Sequence, residues 1–469
     1  MAPDTLHYSS SPRSSSPRSS SPRSSSPRPA AIGLDEYRQR RQALMAGLPA
    51  SSAVLLPAAT LVTRSNDSEY TFRQNSDFHY LCGFPEPDAL LLLLPDREDG
   101  EAVLFCLDKD PALEAWTGIR VGAEAAVERY GVDQAFANSE RDERLAALLD
   151  GRRHLYLPLG DDGAMALAEE VRQQLLARAR RGARAPEALV DVAALIHEQR
   201  LIKSDAELEL MRHAARISAR AHVRAMRSAR PGLGEYQLQA ELEHEFQWHG
   251  ARAPAYSTIV GGGANACVLH YIENAATLAA GELVLIDAGA EFALYAGDIT
   301  RTFPVNGRFS ATQRSVYDIV LAAQTRAVEA VRPGATLGEI HRGVVRDLTR
   351  GLIELGLLQG SVEDELDARI DDESYKRFYL HSTSHWLGLD VHDVGGQRRD
   401  GEPRQLEPGM VLTVEPGLYI PADDDIPAAL RGIGIRIEDD VVVTATGHEV
   451  LTADAPKRVE DIEALMVKN

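Results

Sequence analysis

Six residues after a glycine, an apolar run ends in an acid, and the chain does this twice: Gly281-Glu-Leu-Val-Leu-Ile-Asp287 and Gly409-Met-Val-Leu-Thr-Val-Glu415. The segments that lead into these runs also repeat. Ser204-Asp-Ala-Glu207 is a capping box that opens a helix running to about Ala229. Arg230-Pro-Gly232 follows, then a second helix from Gly234 to His249. About a hundred residues later a helix from Thr312 to Val331 meets Arg332-Pro-Gly334, and another runs from Thr336 to about Leu355. Each copy ends in a further strand-like run that carries an acid, Gly297-Asp298-Ile-Thr-Arg-Thr-Phe303 or Gly434-Ile-Arg436-Ile-Glu438-Asp-Asp440. This repeat predicts two similar halves related by a pseudo-twofold. Their strands would form a curved, mostly antiparallel sheet with helices outside, and a site at the junction would draw side chains from both halves.

At 469 residues the chain is too long for one ordinary domain. Residues 1–32 are a Ser/Pro/Arg-rich extension in which Ser-Ser-Ser-Pro-Arg recurs, placing Arg13, Arg18, Arg23 and Arg28 at a constant spacing. Nothing in it can be buried, so disorder is expected. Residues 33–200 alternate short apolar strands with Ala/Leu/Glu/Arg-rich helical stretches such as Arg141–Leu149 and Ala164–Arg180. The predicted strands are Ser52–Pro57, Ala89–Leu94, Ala102–Leu107 and His154–Leu157. That pattern predicts an N-terminal α/β domain, and no catalytic constellation falls within it. The duplicated α+β unit occupies residues 201–462.

A formal net charge of -20 argues against nucleic acid or an anionic membrane as the main partner. Cys82, Cys106 and Cys267 are far apart and form no Cys-x-x-Cys pair. They suit a reducing compartment better than a disulfide scaffold or a zinc–thiolate site. No apolar run approaches the ~20 residues that cross a bilayer, and no hydrophobic segment opens the chain. The cytoplasm is the expected location.

In a strand, residues i and i+2 share a face. Asp298, Thr300 and Thr302 therefore point one way, and Ile299 and Phe303 the other. Arg436 and Glu438 share a face opposite Ile435 and Ile437, as Thr413 and Glu415 do opposite Leu412 and Val414. Taken singly, each acid is equally compatible with a solvated or salt-bridged surface group. Four buried together would be prohibitive without cations, since one lone buried ion already costs several kcal/mol. Two divalent cations would neutralise Asp287, Asp298, Glu415 and Glu438. Oxygen-rich donors with one imidazole suit Mn²⁺, Co²⁺ or Zn²⁺. Two metals ~3.5–4 Å apart can share a water, lower its pKa and polarise a carbonyl.

Histidines cluster in the same stretches of sequence. His381, His385 and His392 lie within Tyr379-Leu-His-Ser-Thr-Ser-His-Trp-Leu-Gly-Leu-Asp-Val-His-Asp-Val-Gly395, and His270 precedes Asp287. His385 is the natural ligand; the others could donate to a carbonyl or a developing oxyanion. Gly261-Gly-Gly263 lacks the Gly-Lys-Ser/Thr of a phosphate loop. No Gly-x-Ser-x-Gly elbow is present to support a serine hydrolase.

Five motifs carry a resemblance: Ile286-Asp-Ala-Gly-Ala290, Gly297-Asp-Ile-Thr-Arg-Thr-Phe-Pro304, Ser384-His-Trp-Leu-Gly-Leu-Asp-Val-His-Asp-Val-Gly395, Thr413-Val-Glu-Pro-Gly-Leu-Tyr419 and Gly434-Ile-Arg-Ile-Glu-Asp439. They closely resemble the bacterial Xaa-Pro aminopeptidase (aminopeptidase P) family of pita-bread metallopeptidases, alongside prolidase and methionine aminopeptidase. The likeness spans about residues 34–460. The stretch from Asn66-Asp-Ser-Glu-Tyr70 to Phe84 is similar to the family's non-catalytic domain.

The resemblance implies a pita-bread catalytic domain holding two divalent ions, Mn²⁺ foremost, with Co²⁺ or Zn²⁺ as alternatives. Asp287 would bind one metal, Asp298 and Glu438 would bridge both, and His385 and Glu415 would complete the other. Glu415 would also be the general base toward the bridging water. His270 and His392 would contact the substrate carbonyl or line the proline pocket. His381, Tyr419 and Arg436 would orient ligands or position substrate. Trp116 resembles a family tryptophan that reaches a neighbouring subunit's site, and a homo-oligomer, dimer or tetramer, is implied. The chain departs from the family pattern in its extension and at Thr383, where glycine is expected. The activity implied is hydrolysis of the N-terminal Xaa-Pro bond of proline-containing peptides by a metal-bound hydroxide. Prolidase action on Xaa-Pro dipeptides, or a metal-free relative of the same fold, are the alternatives.

Overall fold

The computed structural model describes residues 28–467. The disorder expected of residues 1–32 therefore falls almost wholly on residues outside those described.

Near the N-terminus six strands build one mixed sheet: β1 (Ser52–Pro57), β2 (Leu90–Leu93), β3 (Ala102–Cys106), β4 (Gln134–Ala137), β5 (His154–Leu157) and β6 (Ala188–Asp191). Their order is β4-β3-β2-β1-β5-β6. The two central pairings are antiparallel and the three outer ones parallel. The central strands are buried on both faces, which is why they read as unbroken apolar runs. Ala53, Leu55, Leu92 and Phe105 pack against Leu145, Leu149, Val171 and Leu175 of two helices. Val54, Leu56, Leu91 and Leu104 face the other way, toward Leu44, Phe78 and Leu81. The sequence pattern locates β1, β2, β3 and β5 but misses β4 and β6. These are edge strands with mostly half-buried side chains, so their apolar signal is weak.

The second unit follows the repeat. Helices α1 (Asp205–Ser228) and α2 (Glu235–Trp248) form one pair, and α3 (Ala311–Ala330) and α4 (Leu337–Glu354) the other. Capping boxes open α1, α3 and α4 at Ser204/Glu207, Ser310/Gln313 and Thr336/Glu339. Both Arg-Pro-Gly turns need their glycine, because Gly232 and Gly334 sit at φ of 87° and 85°.

Each half supplies antiparallel strands. In the first, β7 (Ile259–Gly262) pairs with β8 (Leu283–Asp287), and β8 with β9 (Thr300–Pro304). In the second, β10 (Val411–Val414) pairs with β13 (Asp439–Val443), and β11 (Gly417–Tyr419) with β12 (Gly434–Arg436). The run 434–440 is therefore not the single strand the sequence pattern suggests. It bends at Ile437–Glu438, whose backbone N–H groups donate to Pro416 O and to Thr300 O at 3.2 and 3.1 Å. The second of these bonds joins the two halves, and Arg436 N donating to Thr302 Oγ1 at 3.2 Å reinforces the seam. On the far face Arg301, fully buried, pairs with Asp439 at 2.7 Å. The acids fall at equivalent places. Asp287 ends β8 and Glu415 follows β10, while Asp298 and Glu438 lie just ahead of β9 and β13.

Helix α1 is tied to the first hairpin by His222. The imidazole has no solvent exposure, and its Nε2–H donates to Ala288 O at 3.0 Å. Burial lowers its pKa from 6.5 to about 4. Between those values the unfolded chain binds a proton that the folded chain refuses, so stability falls as pH drops through that window. From pH 7.5 to 5.0 this amounts to on the order of 2 kcal/mol. The urea midpoint of the unsubstituted protein should fall further over that range than that of His222→Gln, which retains a donor but does not titrate.

Candidate metal centre

Close backbone approach sets the first two acids side by side. A Cβ at Gly289 would lie 1.6 Å from the carbonyl oxygen of Gly297, so only glycine lets the hairpin fold this tightly behind Asp287 and Asp298. Asp298 is fixed further by its own N–H, which donates to Asp440 Oδ2 at 3.0 Å. In the other half, Glu415 N donates to Thr383 O at 2.9 Å, and His385 N donates to Thr413 Oγ1 at 3.2 Å. His385 Nδ1 donates to Trp386 O at 2.9 Å, which turns Nε2 toward the acids.

These side chains line a cavity of about 610 Å³. Potential ligand atoms of Asp298, His385 and Glu438 all lie within 4.8 Å of one another. His385 Nε2 is 3.6 Å from Asp298 Oδ2 and 3.8 Å from Glu415 Oε1. Asp287 joins through Tyr256, whose hydroxyl is 2.5 Å from Asp287 Oδ1 and also contacts Asp298 Oδ1. Arg436 Nη2 donates to Asp287 Oδ2 at 2.6 Å. Thr300 Oγ1 donates to Glu438 Oε2 at 2.7 Å while accepting from Arg436 Nε at 3.0 Å.

His270, His381 and His392 line the same cavity, together with Ile259, Leu269, Ile272 and Val391. His381 Nε2 meets the Tyr419 hydroxyl at 2.8 Å, and Arg436 Nη1 donates to that hydroxyl at 2.9 Å. The ring of His392 is 4.3 Å from that of His385. Trp116 is not among the lining residues; it stands almost fully exposed on a short helix, Pro111–Thr117. Thr383 fits without a glycine there: its buried hydroxyl meets His341 Nδ1 at 2.9 Å and Tyr379 OH at 2.8 Å.

Crowding of like charge dominates the electrostatics. Burial first, then the carboxylates of Asp298, Glu415 and Asp287, pushes the Glu438 carboxyl well above its ordinary value. Burial with Asp298 and Asp287 lifts Glu415 to about 8, against the pull of His385 and Arg436. Burial disfavours the His385 imidazolium, yet Asp298 and Glu415 outweigh it and raise the group to about 9. Burial and Arg436 drive His381 down to about 4, and burial with the His385 charge lowers His392. A site that raises Glu415, Glu438 and the His385 imidazole calls for added positive charge. Four carboxylates and one outward-turned imidazole nitrogen fit divalent cations.

Three residues that hold the ligands were not singled out for that role from sequence. Tyr256 lies in Ala255-Tyr-Ser-Thr-Ile259, which has no diagnostic spacing. Asp440 is the last acid of Glu438-Asp-Asp440, and spacing does not tell the three acids apart. Thr300 could be placed on the correct face, but its bond to Glu438 depends on how the halves meet.

Known proteins resemble this chain along most of its length. The family model for metallopeptidase family M24 matches residues 209–445, and that for the aminopeptidase P N-terminal domain matches residues 37–156. The chain is 50% identical over 441 residues to Xaa-Pro aminopeptidase of Escherichia coli (strain K12), covering 93% of this chain and 98% of that one. The solved structure of Pseudomonas aeruginosa aminopeptidase PepP superposes with a TM-score of 0.91 at 50% identity, covering 93% and 98% of the two chains. Escherichia coli aminopeptidase P, solved with the inhibitor Pro-Leu and also zinc-substituted with product, gives 0.90 at 48% identity over 93% of this chain and 99% of that one.

If Thr300 orients Glu438 as a ligand, Thr300→Val keeps the volume and removes the hydrogen bond. Its affinity for Mn²⁺ should fall on the order of 10-fold, read by competition with a fluorescent chelator.

Proposed function

We propose that this chain, which belongs to metallopeptidase family M24, is a metal-dependent exopeptidase that hydrolyses the bond between an N-terminal residue and a following proline. The observation that carries this reading is the convergence of Asp287, Asp298, His385, Glu415 and Glu438 in one cavity that also presents three histidines. Those five residues would hold two divalent ions, with Mn²⁺ the proposed metal. When bound, such ions supply Lewis acidity toward the scissile carbonyl and lower the pKa of water.

The chain's own residues account for the rest. The acidic floor attracts the substrate's free ammonium, which favours cleavage at an N-terminus. The apolar walls Ile259, Leu269, Ile272 and Val391 suit proline, whose ring fixes φ and removes the N–H. Glu415 accepts a proton from the attacking water and passes it to the leaving proline nitrogen. His270 and His392 present N–H donors where oxyanion charge develops. Arg436 secures Asp287 and Tyr419 together, and so holds His381 at the cavity wall. Residues 33–200 are taken as the non-catalytic domain and 201–462 as the catalytic one. Exposed Trp116 is the residue through which a neighbouring copy would be met in a homo-oligomer. No helix among the described residues is long and apolar enough to cross a membrane. Cytoplasmic location remains the proposal.

The decisive assay pairs Gly-Pro-Ala with Gly-Pro, using protein loaded in turn with Mn²⁺, Co²⁺ and Zn²⁺. Turnover of the tripeptide, lost on chelation and restored by metal, is expected. Cleavage of the dipeptide alone would make the chain a prolidase, and no cleavage of either by metal-loaded protein would end the peptidase reading. His392→Ala should lower kcat about 100-fold while leaving the bound metal content unchanged.

A further inference from the structure

His392 stands at the catalytic cavity, yet little touches it. It is exposed, and no hydrogen bond among the described residues reaches its ring. Its ring contact is with His385. Behind it a second cavity of about 290 Å³ opens between Arg73, Glu291, Leu389 and Asp390. His392 lines that cavity as well. Its position is set by the segment that carries it, and that segment is held from beneath by ions.

Asp393, next in sequence, is almost completely buried. Its carboxylate accepts from Arg200 Nη2 at 2.6 Å and from Lys203 Nζ at 2.9 Å. Arg200 Nη2 also reaches Asp390 Oδ2 at 2.7 Å, while its Nη1 donates to Asp77 Oδ1 at 2.6 Å. Asp390 Oδ1 accepts from Ser76 Oγ at 2.6 Å, and Arg73 Nη2 donates to Leu389 O at 2.5 Å. Arg73, Ser76 and Asp77 come from the N-terminal unit, and Arg200 and Lys203 from the connection between the units. Gly388 leaves room for the Asp393 pair: a Cβ there would lie 2.2 Å from Asp393 Oδ2 and 2.9 Å from Lys203 Cε.

Such a network is a poor device for stability alone. The Lys203 and Asp393 side chains are each only 1% exposed, and desolvating two ions offsets most of their attraction. Apolar residues could fill the same space at no loss. What ions add is direction, because a guanidinium fixes its carboxylates in a plane and at set distances.

We infer that Asp77, Arg200 and Asp393 are positioning residues: they carry the N-terminal unit's placement through Asp390 and Asp393 to the ring of His392. The N-terminal unit, none of whose described residues lines the catalytic cavity of its own chain, thereby acts on the reaction. This rests on the proposed peptidase reading.

The test is a double-mutant cycle on the full-length, Mn²⁺-loaded protein. Asp77→Asn is the first choice because that side chain is partly exposed and Arg200 keeps its other two carboxylates. It should lower kcat/KM for Gly-Pro-Ala about 10-fold in the parent and less than about 2-fold in a His392→Ala background, with metal content unchanged. Equal loss in both backgrounds would overturn the inference. Ser76→Ala, which removes the bond to Asp390 and the one Ser76 Oγ accepts from Arg73 Nη1 at 3.1 Å, follows the same logic and replaces Asp77→Asn if that chain does not fold. A second readout needs no turnover. With the protein loaded instead with diamagnetic Zn²⁺ and histidine labelled at Cε1, the His392 resonance, assigned by its loss in His392→Ala, should shift or split in Asp77→Asn. A resonance left in place would sink the proposal even if the parent proved inactive on the tripeptide, a result that would by itself count only against the peptidase reading.

Discussion

Like charge held at close quarters is the constraint on which the rest of this structure depends. Asp287, Asp298, Glu415 and Glu438 converge from two hairpins, and each would lower its energy by moving away from the others. The backbone does not permit it. Gly289 packs against Gly297, the Asp298 N–H is tied to Asp440, and Glu438 hangs from a bend bonded to Thr300 of the opposite half. Arg436 touches Asp287 directly and Glu438 through Thr300, so one cation serves both halves. The fold supplies the geometry and leaves positive charge to be found elsewhere. That imbalance is what suits the cavity to divalent cations.

Much of this was legible before any coordinates, because a duplicated unit must repeat its local signals. The four long helices fall within a residue or two of their predicted limits, fixed by capping boxes and by glycines at positive φ. Asp298, Glu415 and Glu438 could each be placed opposite their apolar neighbours by strand alternation, although all three lie just outside the strands themselves. The N-terminal edge strands Gln134–Ala137 and Ala188–Asp191 were invisible for the opposite reason, since half-burial leaves no alternation to read. The bend at Ile437–Glu438 also escaped notice. Local sequence there reads as one continuous strand, and only the arrival of Thr300 from the other half breaks it.

The residues that support the ligands show the same division. Tyr256 and Asp440 act across 31 to 142 positions of sequence, and no spacing rule reaches so far. Thr383 shows how an expectation from family likeness can mislead. Glycine is expected there from family likeness, but a hydroxyl that meets both His341 and Tyr379 is easily housed. Its carbonyl still holds the Glu415 N–H, which is the contact the site uses.

Two kinds of buried charge occur in this molecule, and they are used differently. At the catalytic cavity four carboxylates outnumber the Arg436 guanidinium, and the imbalance suits a counter-ion. Beneath the segment that carries His392 the charges alternate, Asp77, Arg200, Asp393, Lys203, and satisfy one another internally. The first arrangement is poised to bind and the second to hold still. Placing them back to back, with the exposed ring of His392 between, follows from what each does best: cations are captured by unbalanced carboxylates, while direction is best transmitted by balanced, hydrogen-bonded pairs. The N-terminal unit then has a physical reason to be fused to the catalytic one. It completes the balanced set, which the duplicated halves do not close by themselves.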